Sequence, residues 1–339
     1  MQRWNPCEKV LTVHNVGNLV LKWSYTAANA VQSSPAVVNG VVYVGSEDGN
    51  VYGLNARTGA KRWSYTTGSY VESSPAVANG VVYVGSDDGN VYALNASTGA
   101  LLWSYPTGYY ALSPPTVADG AVYVGTNNNL SALNASTGAL LWSYPTGGTV
   151  VASPAVANGV VYAGSFDHKV YALNAKTGTK LWSYATGGVV YSSPAVANGV
   201  VYIGSEDNNV YALNARTGAK LWGYATGNWV DGSPAVANGV VYVGSEDTNV
   251  YALKAKTGAL LWSYATLIGA LTAPAVANGV VYVGLVDPNG QSVVALNAKT
   301  GTILWSYTTG GAVFSSPAVA NGVVYFGSDD HNSYAFGLK

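Results

Sequence analysis

At 339 residues the chain is long enough for two ordinary domains or for one closed all-β array. Only 9% of residues are charged, and 15 basic against 16 acidic groups give a formal net charge of −1, which removes any bulk electrostatic case for a nucleic-acid partner. A single cysteine, Cys7, rules out an intrachain disulfide, and no apolar run approaches the ~18 residues of a spanning helix.

The first ten residues, MQRWNPCEKV, lack the apolar core of a signal peptide. Richness in Tyr, Ser, Thr, Asn and Gly with little Lys or Glu nevertheless suits an extracytoplasmic or secreted protein. Residues 1–18 read as a lead-in lying along the outside or across one face of the fold, with Trp4 as an anchor. From residue 19 onward the text repeats. The unit is clearest at Ser192 to Tyr224, SSPAVANGVVYIGSEDNNVYALNARTGAKLWGY. A brief apolar run ends at Asn198-Gly199, a two-residue hairpin signal because both central residues of a type I′ turn need φ > 0. Val200 to Gly204, Val210 to Leu213 and Lys220 to Tyr224 are the next three strands, separated by the polar turn 206–209 and the Thr217-Gly218 turn. Four antiparallel strands in about 40 residues is the period of a propeller blade.

Trp63, Trp103, Trp142, Trp182, Trp222, Trp262 and Trp305 each close a fourth strand, and Trp23 precedes them at the same interval. First strands begin at Pro35, Pro75, Pro115, Pro154, Pro194, Pro234, Pro274 and Pro317, which also makes eight. The chain opens with a fourth strand, Leu19 to Tyr25, and closes with strands one to three, Ser316 to Leu338. An open solenoid needs polar caps at both ends, whereas these fragments sum to one blade. The expected fold is therefore all-β: one eight-bladed propeller over residues 19–339, its last blade built from 316–338 plus 19–25.

Ala-Leu-Asn-Ala-Arg-Thr-Gly-Ala-Lys-Leu-Trp at 212–222 resembles the tryptophan-docking motif of pyrroloquinoline quinone (PQQ) type repeats, and the likeness runs from about residue 19 to the end. That resemblance implies an eight-bladed propeller in which the eight Trp dock structurally between blades. It leaves function open, because the family includes quinoprotein alcohol dehydrogenases, an outer-membrane assembly lipoprotein and sensor domains. Dehydrogenase relatives carry a vicinal cysteine pair, long inserted loops and an Asp base beside a Glu/Asn calcium site. None of these can be carried onto this chain, so no cofactor is expected, with PQQ and calcium as the alternative.

In a four-stranded blade the 2–3 turns and the 4–1 loops share one face. Acidic pairs from Glu47-Asp48 to Asp329-Asp330 fall in the 2–3 turns, and with Glu72 and Asp231 they place 14 of 16 acidic residues on that face. The 3–4 turns on the opposite face carry 10 of 15 basic residues, among them Arg57, Arg62, Lys180 and Lys220. Comparison of the blades shows one drifting column three residues before each proline: Gln32, Glu72, Leu112, Val151, Tyr191, Asp231, Leu271 and Phe314. Five residues before it stand Tyr70, Tyr110 and Trp229, with Tyr109 adjacent. These positions are expected around the funnel mouth in two clusters on opposite sides, one of Tyr70, Glu72, Tyr109 and Tyr110 and one of Tyr191, Trp229 and Asp231. Aromatic rings beside carboxylates suit a sugar, a cation or a peptide.

Hydrolytic chemistry finds no support. Glu72 and Asp231 belong to opposed blades, while paired glycosidase carboxylates sit within roughly 5–10 Å. His168 and His331 face each other across the ring and His14 lies in the lead-in, so neither a zinc set nor a Ser-His-Asp grouping assembles. The sequence thus predicts a monomeric, non-catalytic scaffold that binds a protein, peptide or glycan at its acidic face, with a quinoprotein dehydrogenase as the alternative.

Overall fold

Asn198 and Gly199 adopt φ of 50° and 76°, the left-handed pair a type I′ turn requires, so Ala195–Ala197 folds back onto Val200–Ser205. At the next turn the Asp207 carboxylate accepts the backbone N–H of Asn209 at 3.1 Å, and the chain returns as Asn209–Asn214. The Asn214 side chain then accepts the N–H groups of Arg216 and Thr217, each at 3.0 Å. That turn launches the edge strand Lys220–Ala225. In the computed structural model, which describes residues 4–108, 113–266, 269, 272–286 and 292–339, this sheet recurs eight times. Blades 1 to 7 span 36–66, 76–106, 116–145, 155–185, 195–225, 235–265 and 275–307. Blade 8 combines 318–337 with 20–26.

The ring closes as the sequence predicts. Val20–Thr26 runs antiparallel to Asn332–Gly337, with Trp23 opposite Ala335 and Thr26 opposite Asn332. First strands of neighbouring blades touch one another all the way round, so they line the axis. Between blades lies the core. One cluster joins Tyr162, Val170 and Trp182 of blade 4 to Ile203, Tyr211 and Leu213 of blade 5, all buried. Among the described residues no helix is long and apolar enough to cross a membrane.

Trp182 shows how the docking works. Its indole N–H donates to the Ala215 carbonyl of the next blade at 3.0 Å, and the Tyr162 hydroxyl donates to the same oxygen at 3.1 Å. Gly218 lies flat beneath the ring at φ 72°, where an added Cβ would come 2.7 Å from the indole. Six other tryptophans repeat the bond, from Trp23 on Ala56 to Trp262 on Ala298. Trp305 departs from the expectation of eight. Blade 8 has no continuous 3–4 turn, because the two chain segments meet there, and so offers Trp305 no Thr-Gly platform. It stacks on Tyr307 and meets Phe336 edge-on instead.

The lead-in packs at this seam. Trp4–Asn5 pairs in parallel with Val276–Ala277, the innermost strand of blade 7, and the segment then runs past the 1–2 turns of blades 7 and 8, where the Leu11 carbonyl accepts the Asn278 side-chain amide at 3.0 Å. Asn5 donates to the Val319 carbonyl of blade 8 at 2.9 Å. Buried Glu8 accepts the N–H groups of Val10, Leu11 and Gly322. Leu11, Val16 and Leu19 then pack into the core shared by blades 7 and 8.

Candidate functional site

The 4–1 loop entering blade 5 is clamped between the 2–3 turns of blades 4 and 5. Glu206 N–H of blade 5 donates to the Val189 carbonyl at 2.9 Å, and Val190 N–H donates to the Ser165 carbonyl of blade 4 at 3.3 Å. With the backbone held by both neighbouring turns just before it, residue 191 is presented toward the axis. The same position in other blades supplies Gln32, Glu72, Val151, Asp231 and Phe314, and with Tyr191 these line one central cavity of about 250 Å³.

Below them the residue before each proline forms a hydroxyl collar. The N–H of each serine donates to the Oγ of its counterpart one blade on: Ser316 to Ser34, Ser34 to Ser74, Ser153 to Ser193 and Ser193 to Ser233, all at 2.9–3.0 Å. Ala273 N–H donates to Ser316 at 3.1 Å. The chain of bonds stops where the sequence places Pro114, which has neither N–H nor hydroxyl, and Ala273, which has no hydroxyl to accept from Ser233. Thr116 bridges blades 3 and 4 in its own way, donating to the Pro154 carbonyl at 2.6 Å.

The acidic pairs of the 2–3 turns divide their work. The second member is structural. Asp88 accepts the Tyr92 hydroxyl at 2.6 Å, the Gly68 N–H at 2.7 Å and the Asn90 N–H at 3.0 Å. Burial acts to raise its carboxyl, but these donors outweigh that and hold it below the usual range. The first members have fewer partners, Asp329 accepting the Gln32 amide at 3.1 Å, and they act on one another's charge. Burial, then Asp329 and Asp87, raise Glu47, and burial, then Asp87 and Glu47, raise Glu72. Asp231 is pushed up to about 7 by burial and then by Glu206 and Glu246. Its Oδ1 is buried without a hydrogen-bond partner.

One residue of the first expected cluster, Glu72, and two of the second, Tyr191 and Asp231, share one space. Glu72 and Asp231 stand on opposed blades yet line the same cavity, and burial followed by the fields of Asp231 and Glu72 raises the Tyr191 hydroxyl. Tyr191 lies 5.7 Å from Phe166 between ring centroids. Tyr70 and Trp229 are exposed, at 48% and 46%, but do not line the cavity. Tyr109, Tyr110, Leu112 and Leu271 lie outside the described residues. Sequence reasoning did not place the serine collar in the site, since a position that is serine in six of eight blades carries little contrast between them. Phe166 was visible as the one aromatic replacing an acid at the head of its 2–3 turn.

The family model described as outer membrane protein assembly factor BamB matches residues 20–110, 68–147, 111–227, 185–273 and 269–338. No curated protein matches the chain in sequence. Among solved structures, BamB from Moraxella catarrhalis superposes with a TM-score of 0.82 at 22% identity, over 94% of this chain and 100% of that one. The quinohemoprotein alcohol dehydrogenase ADHIIG from Pseudomonas putida HK5 gives 0.84 at 18% identity, over 99% of this chain and 78% of that one. The computationally designed Ika8 protein gives 0.83 at 20%, over 92% and 98%. At these identities the likeness is one of fold.

Proposed function

Since this chain belongs to the PQQ-type repeat family described as outer membrane protein assembly factor BamB, we propose that it is a non-catalytic binding scaffold. Its ligand is a cationic segment, such as a lysine- or arginine-bearing peptide, taken at the funnel on the acidic face. One observation carries the reading: Glu72 and Asp231 line the cavity, the charges of Glu47, Asp87, Glu206 and Glu246 act on them from the surrounding turns, and the lining contains no Lys or Arg. Carboxylates crowded around one cavity gain most from a ligand that brings positive charge. Tyr191 and Phe314, 48% and 39% exposed, offer faces for cation–π contact. The family name and the composition favour a place outside the cytoplasm.

PQQ suits this funnel poorly. It is a tricarboxylate, and the cavity presents it with Glu72, Asp231 and hydroxyls rather than with cations. No step is routed through it.

Fluorescence anisotropy with a labelled lysine-rich peptide tests the proposal, with a glutamate-rich peptide of equal length as control. The parent binds the basic peptide in a salt-dependent way, and Asp231→Asn with Glu72→Gln weakens binding about tenfold or more. Equal binding by parent and double variant would end it. Addition of PQQ and calcium provides a second check, because a new absorbance band with dye-linked alcohol oxidation would make the chain an enzyme.

A further inference from the structure

The larger cavity, about 660 Å³, lies on the opposite face, in the cleft between blades 8 and 1. Lys22, Arg57 and Arg62 line it, and no carboxylate does. All three side chains are exposed, and among the described residues none forms an ion pair; Lys169 with Asp167, on the other face, is the one pair found. Arg62 is steered inward by a bond from its guanidinium to the Gly40 carbonyl at 3.4 Å. The wall behind is Val323 and Tyr325.

The repeat makes this cleft unlike its neighbours. In each blade the third and fourth strands slip register just before the docking Trp, leaving one bulged residue that pairs with nothing: Leu221 in blade 5, between Leu213↔Lys220 and Ala212↔Trp222. A bulge re-aims its side chain. Six blades place leucine there, namely Leu102, Leu141, Leu181, Leu221, Leu261 and Leu304. Only blades 8 and 1 place a cation, Lys22 and Arg62. The two exceptions are adjacent, they flank the same cleft, and Arg57 from the neighbouring turn completes the triad.

We infer that the cleft between blades 8 and 1 binds a phosphomonoester, its phosphate held by Lys22, Arg57 and Arg62 and its organic body set against Val323 and Tyr325. Two guanidinium forks match phosphate oxygens in pairs and the ammonium adds a point charge. The volume lies within the roughly 300–1,000 Å³ range of small-molecule sites, more than a bare ion needs. Both a soluble phosphate ester and a phospholipid headgroup present this chemistry.

Calorimetry with phenyl phosphate and inorganic phosphate, and flotation with phosphatidylcholine vesicles containing phosphatidic acid, test it on the whole chain. The parent binds phenyl phosphate one to one, more tightly than inorganic phosphate, or floats with the acidic vesicles and not with pure phosphatidylcholine. The first outcome identifies a soluble ester and the second a headgroup. Lys22→Leu with Arg62→Leu installs the residue the other six blades use, so the thermal midpoint should hold while binding weakens at least about tenfold. Lys180→Leu, a cation removed elsewhere on the same face, leaves binding unchanged. Absence of binding in both arms, or full binding by the Lys22→Leu/Arg62→Leu protein, would overturn the assignment.

Discussion

Individual side chains in this protein carry unequal weight in spite of near-identical neighbourhoods in the sequence. Trp182 is 9% exposed with its N–H satisfied across the blade junction, whereas Trp305 is only partly buried and makes no comparable bond to blade 8. At ~150–250 Å² and ~25 cal/mol/Å², burying one indole is worth about 4–6 kcal/mol before entropy is counted. Trp182→Ala should therefore cost ~3–5 kcal/mol in denaturant unfolding and Trp305→Ala clearly less; equal losses would show that the platform glycine and carbonyl add nothing. The docking role was legible from the Trp spacing. The exception was hidden because its cause lies in the partner blade, whose third strand, Asn332–Gly337, pairs with a fourth strand from residues 20–26 and is not joined to it by a Thr-Gly turn. The acidic pairs repeat the lesson. Asp48 and Asp88 looked like ligand-facing charge, but a tyrosine four residues on uses each one internally.

Among the elements, the lead-in is the one whose course the repeat pattern did not predict. It has no counterpart elsewhere in the chain, so comparison between blades says nothing about it, and its short apolar spacing, Leu11, Val16 and Leu19, reads equally as surface or core. In the structure those three residues are almost wholly buried. They fill the space that a 3–4 turn of blade 8 would otherwise close. Leu11→Ala should cost ~2–5 kcal/mol, and amide exchange should rise first in blades 7 and 8. Uniform exchange around the ring would mean the segment is merely attached. The closing strand behaves otherwise: its pairing was predictable because the first and last fragments complement each other strand for strand.

Taken whole, the molecule separates charge by face and concentrates the acidic part around its axis. That arrangement gives stability a pH slope of known sign. Asp231 has a folded value of about 7 against roughly 3.9 when unfolded, so between those values the folded chain holds more protons than the unfolded one. Its contribution is fully present below pH ~4, declines as pH rises through about 7 and then levels off. Asp231→Asn should leave the midpoint near pH 4 unchanged and raise it at pH 8; a parallel offset at both would place the unpaired carboxylate in solvent. Blade count, ring closure and the drifting column at the mouth all followed from spacing. That Glu72 and Asp231 share a cavity did not, since position around a ring fixes angle but leaves the radius open. The hydroxyl collar has a mechanical consequence. Its links join blades 3 to 6 and blades 7, 8, 1 and 2, and fail between 2 and 3 and between 6 and 7, at opposite ends of a diameter. The throat is thus two stiff half-bracelets meeting at two softer clasps, with Glu72 beside one clasp and Asp231 beside the other. Fitting one with the missing acceptor, Ala273→Ser, should add about 0.5–1.5 kcal/mol and slow amide exchange around Ser233, tightening the bracelet on that side alone.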